Sequence, residues 1–236
     1  MKSNETLAVL ARLVVQEFKR QGNRRIERIV TLNADDLLEQ AMSALVPLDY
    51  HAVIRPVARP TSSAFGRRGR WPSIPIYHIH GYLPLEGDYS DYMLVFTDSQ
   101  YWSTSATALA FANRVMLSAL SESRCIFIGL SMTDINLLRW LALRTLEWNR
   151  DVEEEERLAS DPRLAAGNHY TAGVVRARYR AGHYRQVFSQ HFWIRPTSSD
   201  PTGFLSEFLA LRGIHCVEAT DWTGPHFQRL MRKCFP

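Results

Sequence analysis

The chain has 236 residues, of which 46% are hydrophobic and 22% charged, and its formal net charge is +4. This composition is ordinary for a globular domain, and no apolar run approaches the roughly 18 residues of a membrane span. The first residues lack the basic start and apolar core of a secretion signal, so the cytoplasm is the expected compartment. The three cysteines are far apart, and we expect reduced thiols and no metal site.

Helical and strand-like patterns alternate along the first half of the chain. Apolar residues at helical spacing predict a first helix that ends near Gly22, and a short β-branched run predicts a strand from Ile26 to Leu32. A second helix follows, and its predicted apolar stripe consists of Leu37, Leu38, Ala41, Met42 and Leu45. Strands are predicted at His51–Val57 and Ile74–Ile79, separated by a loop at 58–73 that is rich in Pro, Gly, Ser and Arg.

The second half continues this alternation. Thr97 starts a predicted long helix to about Leu120, and the apolar run 125–128 is typical of a strand covered on both faces. A helix is predicted over 134–149, and residues 150–190 are interpreted as a helical insertion or lid. The remaining predicted elements are the strand His191–Ile194, a helix that stops at Gly213, the strand Ile214–Val217 and a final helix with the stripe Phe227, Leu230, Met231 and Cys234.

The alternation of strands and helices predicts an α/β fold with a Rossmann-like, mostly parallel sheet flanked by helices. In such sheets the carboxyl ends of the strands form the ligand-binding edge. Polar motifs stand at three predicted strand ends, in the segments 31–37, 78–81 and 128–134. We therefore expect Asn33, His80 and Ser131 to converge on one crevice.

These three motifs resemble those of the sirtuins. Thr31–Leu38 reads T-L-N-A-D-D-L-L and looks like the sirtuin T-x-N-x-D-x-L motif. Ile79–Gly81 resembles the L-H-G motif, and Gly129–Ser131 resembles the G-T-S or G-x-S element. The resemblance spans about residues 26–235. It implies that the chain is a sirtuin-like protein.

The sequence departs from the sirtuin pattern in two respects, and these differences indicate which kind of sirtuin-like protein it resembles. The zinc module of lysine-deacylating sirtuins, with its two cysteine pairs, is absent between Gly81 and Gly129. The better match is the zinc-free branch, the sirtuin-like NAD hydrolases of bacterial antiphage defence. The phosphate-binding G-A-G-x-S loop is also missing. We therefore expect a single sirtuin-like domain over 1–236 that is N-terminally incomplete and carries an insertion at about 150–190, the alternative being a degenerate relative.

By this resemblance, the reaction is the hydrolysis of NAD to nicotinamide and ADP-ribose, with Asn33 and His80 as the catalytic pair. An amide both donates and accepts hydrogen bonds, and an imidazole suits a general base near neutral pH. NAD is then the substrate, and no metal is required. The residues that the resemblance assigns to NAD binding are Thr31, Asp35, Gly81, Gly129 and Ser131.

Structural interpretations compete with these assignments. Taken singly, each motif fits a strand-end turn or a structural loop histidine. His78, at the adjacent position of strand alternation, is predicted to be structural, and Asp134 is predicted to cap the following helix. Tyr101 and Trp102 are predicted to be core residues in preference to a pocket wall.

The alternative function is a catalytically degenerate sirtuin-like module that binds a partner or a nucleotide without turnover. The family resemblance implies a homo-oligomer or a sensor subunit as partner. Nucleic-acid binding through the basic cluster Arg67–Arg70 is less favoured than a solvated loop, since glycines and a proline surround the cluster. Neither nucleic acid nor a membrane is an expected partner.

Overall fold

The computed structural model describes residues 5–20, 24–47, 54–58, 74–86, 94–95, 97–107, 109–160, 191–197, 200–220, 222 and 224–234. The basic cluster Arg67–Arg70, nearly all of the predicted loop 58–73 and residues 161–190 lie outside this part of the chain. The chain divides into two compact units. The first comprises Met1–Met116 with Thr220–Pro236, and the second comprises Leu117–Ala219.

Helices and strands alternate through the described residues, as the sequence predicts. In chain order they are α1 (Glu5–Lys19), β1 (Ile29–Thr31), α2 (Leu37–Ser43), β2 (Arg55–Val57), β3 (Pro75–His78), α3 (Asp98–Ala106), α4 (Phe111–Glu122), β4 (Ile126–Ile128), α5 (Ile135–Ser160), β5 (His191–Pro196), α6 (Phe204–Ala210), β6 (Ile214–Ala219) and α7 (Gly224–Cys234).

The first unit contains a parallel sheet with the strand order β1-β3-β2. Thr31 pairs with His78, and Val57 pairs with Tyr77, so all three strands run in register toward the same edge. The predicted parallel sheet is therefore confirmed for this unit. The register also places the residues that follow β1 directly beside those that follow β3.

An apolar core lies between this sheet and the helices of the first unit. Its buried residues are Ala11, Val14, Val15, Phe18, Met42, Ile74 and Ile76. The predicted stripe of α2 is only partly right, because Leu37 and Leu45 are both 42% exposed. The reason is the length of α2, which ends at Ser43. Leu45 lies beyond the helix, and Leu37 is its first residue.

The second unit contains another parallel sheet, with the strand order β4-β5-β6. Phe127 pairs with Trp193, and Ile194 pairs with Val217. The largest fully buried side chains of this unit include Leu120, Leu137, Trp140, Leu141, Trp193, Ile194, Leu209 and Ile214. The predicted α/β class with parallel strands is confirmed, and in the described residues these strands form two three-stranded sheets.

The predicted long helix from Thr97 to Leu120 is wrong, since α3 and α4 are separate helices. Thr97 caps α3 as predicted, but Thr107 is extended and ends that helix. The carbonyl oxygen of Thr107 accepts hydrogen bonds from the N–H of Ala110, at 3.0 Å, and from the side-chain amide of Asn113, at 2.6 Å. These bonds hold a turn where the sequence has neither glycine nor proline.

Helix α5 is longer than predicted. It runs to Ser160 instead of ending at Asn149, so the segment interpreted as an insertion begins inside a helix. The guanidinium of Arg157 binds the carboxylate of Glu154 one turn earlier, which supports the acidic part of this helix. None of the described helices combines the length and apolar character that crossing a bilayer requires.

Candidate functional site

The segments that follow β1 and β3 run side by side. The N–H of Ile79 donates to the carbonyl oxygen of Thr31 at 3.2 Å, and the N–H of Leu83 donates to that of Ala34 at 2.7 Å. Asp35 and Leu83 also form an isolated parallel bridge. The strand-end segments that carry the two predicted catalytic residues therefore lie against each other.

Asn33 is exposed, and hydrogen bonds hold its backbone on both sides. Its N–H donates to Oγ1 of Thr31 at 3.0 Å. Its carbonyl oxygen accepts from Nδ1 of His78 at 3.0 Å. Thr31, which the resemblance assigns to NAD binding, thus has a local role in this turn, and its contact with NAD stays a prediction.

His80 is half-buried beside the Asn33 segment. Its Nδ1 lies 3.1 Å from the carbonyl oxygen of Leu32. A carbonyl oxygen can only accept, so Nδ1 carries a hydrogen, and Nε2 is the basic nitrogen of the neutral ring. The ring of Tyr101 lies 5.6 Å away between centroids. Tyr101 is thus next to His80, whereas Trp102 is 60% exposed, so its prediction as a core residue is wrong.

The acidic residues of the first motif also make local contacts. Oδ1 of Asp35 accepts from the N–H of Leu37 at 3.2 Å, at the start of α2. Oδ2 of Asp36 accepts from the N–H of Leu85 at 3.0 Å and so joins the two strand-end segments. Gly81 turns the chain after His80 with a φ of 95°, a conformation that favours glycine.

A buried histidine and glutamate lie directly beneath these segments. His78 is 1% exposed and Glu39 is 6% exposed. Nε2 of His78 lies 2.6 Å from Oε1 of Glu39. The predicted structural role of His78 is confirmed, but Glu39 was not anticipated. No sequence signal points to it, because Glu39 falls outside the predicted apolar stripe of α2.

Gly129 and Ser131 follow β4 in the second unit. Gly129 has a φ of 71°, and no atom of the described residues lies within 4 Å of a Cβ added there. Oγ of Ser131 lies 2.9 Å from Oγ1 of Thr133. Oδ1 of Asp134 accepts from the N–H of Leu137 at 2.9 Å, which confirms the predicted cap of α5. Convergence of this loop with Asn33 and His80 stays a prediction.

Trp193 on β5 fixes the position of this loop. Its indole N–H donates to the carbonyl oxygen of Leu130 at 2.9 Å, and its ring is 1% exposed. The tryptophan therefore ties the loop after β4 to the neighbouring strand. The sequence pattern predicts only a strand around Trp193 and does not reveal this contact.

His191 on β5 is a buried, uncharged histidine. The N–H of Cys125 donates to its Nδ1 at 3.1 Å, so the hydrogen of the neutral ring is on Nε2. Burial, together with the positive charge of Arg144, lowers the pKa of His191 to about 4. Within the described ranges, no group of three or more His, Cys, Asp or Glu side chains is placed to hold a metal ion.

Polar side chains at the carboxyl ends of parallel strands define an α/β protein of the kind that binds ligands at its sheet edge. A family model described as SIR2-like domain matches residues 27–163. The match covers more than half of the chain, and the chain therefore belongs to the SIR2-like domain family. The sirtuin-like class expected from the three motifs is confirmed. No curated protein matches the chain.

Proposed function

We propose that this SIR2-like domain hydrolyses NAD to nicotinamide and ADP-ribose and acts as an effector of antiphage defence, together with further copies or a sensor subunit. One observation carries the proposal. The segments that hold Asn33 and His80 follow adjacent parallel strands, and His80 is bonded to the carbonyl of Leu32, immediately before Asn33. An exposed amide and a basic ring nitrogen therefore belong to one sheet edge.

The chemistry of the reaction suits these two side chains. The bond between nicotinamide and the ribose C1′ breaks, and nicotinamide leaves with the electron pair. A water oxygen then bonds to C1′ and gives up a proton, which Nε2 of His80 accepts in this proposal. The amide of Asn33 orients the ribose hydroxyls and the water, since it both donates and accepts. Both roles need only neutral side chains of the kinds present.

The binding residues carried over from the resemblance lie in two segments of the chain. Thr31, Asp35 and Gly81 border the Asn33 segment, and we propose that they contact NAD. Gly129 and Ser131 follow β4, and the resemblance assigns NAD binding to them as well. The open space above Gly129 supports its assignment, because a glycine with no neighbour on its Cβ side allows close approach of a ligand to the backbone.

The test of the proposed function is NAD consumption by the purified chain, with nicotinamide and ADP-ribose quantified as products. We expect Asn33→Ala to lower turnover by roughly 100-fold, because the substrate is no longer oriented. Asn149→Ala, at an exposed site on α5, is the matched control and should keep wild-type turnover. Equal turnover in all three proteins would reject the site. NAD binding without turnover in the wild-type chain would instead favour the non-catalytic module.

We expect Gly129→Asn to weaken NAD binding by roughly 10-fold or more with little change in stability. Asparagine tolerates a positive φ better than most residues, so the loss arises from the side chain placed where the nucleotide approaches. Gly203→Asn is the control, since Gly203 has a φ of 73° and, within the part of the chain that the structure describes, no atom within 4 Å of an added Cβ. Calorimetric titration with NAD and urea unfolding measure the two effects. Equal NAD affinity in both variants would remove Gly129 from the binding site.

A further inference from the structure

We propose that the buried pair of His78 and Glu39 is a positioning device that fixes the Asn33 peptide at the candidate NAD site. The inference rests on the proposed function and adds two residues that do not touch the substrate. His78 lies on β3 and Glu39 on α2, so the pair joins the strand to the helix that follows Asn33. The role of the pair depends on which atoms of the imidazole donate and which accept.

The hydrogen-bond pattern of His78 assigns its hydrogens. Nδ1 faces the carbonyl oxygen of Asn33 at 3.0 Å, and this oxygen can only accept. Nδ1 is therefore the donor. Nε2 faces Oε1 of Glu39 at 2.6 Å, and a single hydrogen lies between these two atoms. Glu39 thus holds the imidazole in the one arrangement in which Nδ1–H remains directed at Asn33.

The surroundings of the pair leave it little freedom to move. Both side chains are buried, and the ring of Tyr82 packs edge-on against that of His78, with centroids 4.5 Å apart. His78, which donates to the Asn33 carbonyl, is therefore itself fixed by Glu39 on the opposite side of its ring. A small displacement at a catalytic group costs a large factor in rate, so such support affects turnover more than substrate binding.

Two substitutions of His78 each keep one of its two hydrogen bonds and remove the other. The amide nitrogen of His78→Asn lies near the position of Nδ1 and can still donate to Asn33. That of His78→Gln lies near the position of Nε2 and reaches the side chain at position 39 instead. Both are made in a Glu39→Gln background, so that no carboxylate stays buried without a partner. Glu39→Gln alone is the reference, because its amide can donate to Nε2 while Nδ1–H stays on Asn33.

The first measurement is independent of activity. Carbon-13 and nitrogen-15 NMR of the Asn33 carbonyl and the following amide reports the hydrogen bond from residue 78. We expect His78→Gln to shift these signals and His78→Asn to leave them near those of the reference. In the wild-type protein, the Nδ1–H of His78 should exchange slowly with solvent, a check that needs no variant. Identical Asn33 signals in the two variants, or fast exchange of this hydrogen, would overturn the inference.

The second measurement is NAD hydrolysis. We expect kcat to fall roughly 10-fold or more in His78→Gln while KM changes by less than about threefold, with His78→Asn close to the reference. Losses that follow the unfolding midpoints of the variants instead would indicate a merely structural pair and overturn the inference. A wild-type chain without hydrolysis would reject the proposed function alone, since the NMR contrast decides the positioning role separately.

Discussion

Replacement of His80 by asparagine is expected to lower the rate of NAD hydrolysis by roughly 100-fold to 10,000-fold, the range typical of general-base catalysis. The amide nitrogen of His80→Asn can take the place of Nδ1 and keep the hydrogen bond to the carbonyl of Leu32. The substitution removes Nε2, which we propose as the proton acceptor, together with the ring contact to Tyr101. It keeps the hydrogen bond that holds residue 80 to the Leu32 segment.

The pH profile of the rate checks this role of His80. The pH profiles of the wild type and of His80→Asn should differ, because a general base contributes to the pH dependence of the rate. His215→Asn, which removes an exposed imidazole from β6, is the control and should keep the wild-type profile. Full activity of His80→Asn would show that a group other than His80 accepts the proton of the attacking water.

Acidification is expected to destabilise the protein through His191, by about 3 kcal/mol between pH 7 and pH 4. Burial and the charge of Arg144 lower the pKa of His191 from 6.5 to about 4 in the folded chain. Between these two values the unfolded chain binds the extra proton and the folded chain does not. The contribution of this histidine to stability is therefore complete above pH 6.5 and is lost as the pH falls toward 4.

Urea unfolding of the wild type and of His191→Asn across this pH range measures the effect. The amide oxygen of the asparagine can accept from the N–H of Cys125, as Nδ1 of His191 does, without titrating. The free energy of unfolding of the variant should depend less steeply on pH, while Asn149→Ala, at an exposed site on α5, should follow the wild type. Parallel curves for His191→Asn and the wild type would contradict this account.

Hydrophobic periodicity predicts much of the fold, because it reflects which face of an element is buried. Val14 and Phe18 at helical spacing mark the buried face of α1, and the apolar run before His80 marks β3. The break after Thr107 is not predictable in this way, because it depends on a side-chain hydrogen bond from Asn113 and not on glycine or proline. Hydrophobic periodicity does not predict where an element ends when a single polar contact determines that end.

The candidate site is likewise predictable from the sequence only in part. Asn33 and His80 are predictable as neighbours, because parallel strands end at one edge and both residues follow apolar runs. The pairing of His78 with Glu39 is not, because it requires knowing that α2 lies over β3 and which way its stripe faces. The tie between Trp193 and Leu130 likewise joins residues distant in sequence. Sequence order alone does not record such contacts.

The Asn33 peptide has a further consequence for ligand binding. Thr31 and His78 hold its two polar backbone atoms, and the N–H of Leu83 holds the next carbonyl, that of Ala34. Hydrogen bonds within the chain therefore order this stretch of main chain. A ligand that reaches it loses little affinity to conformational entropy, so preorganisation leaves more of the contact energy available for discriminating among ligands.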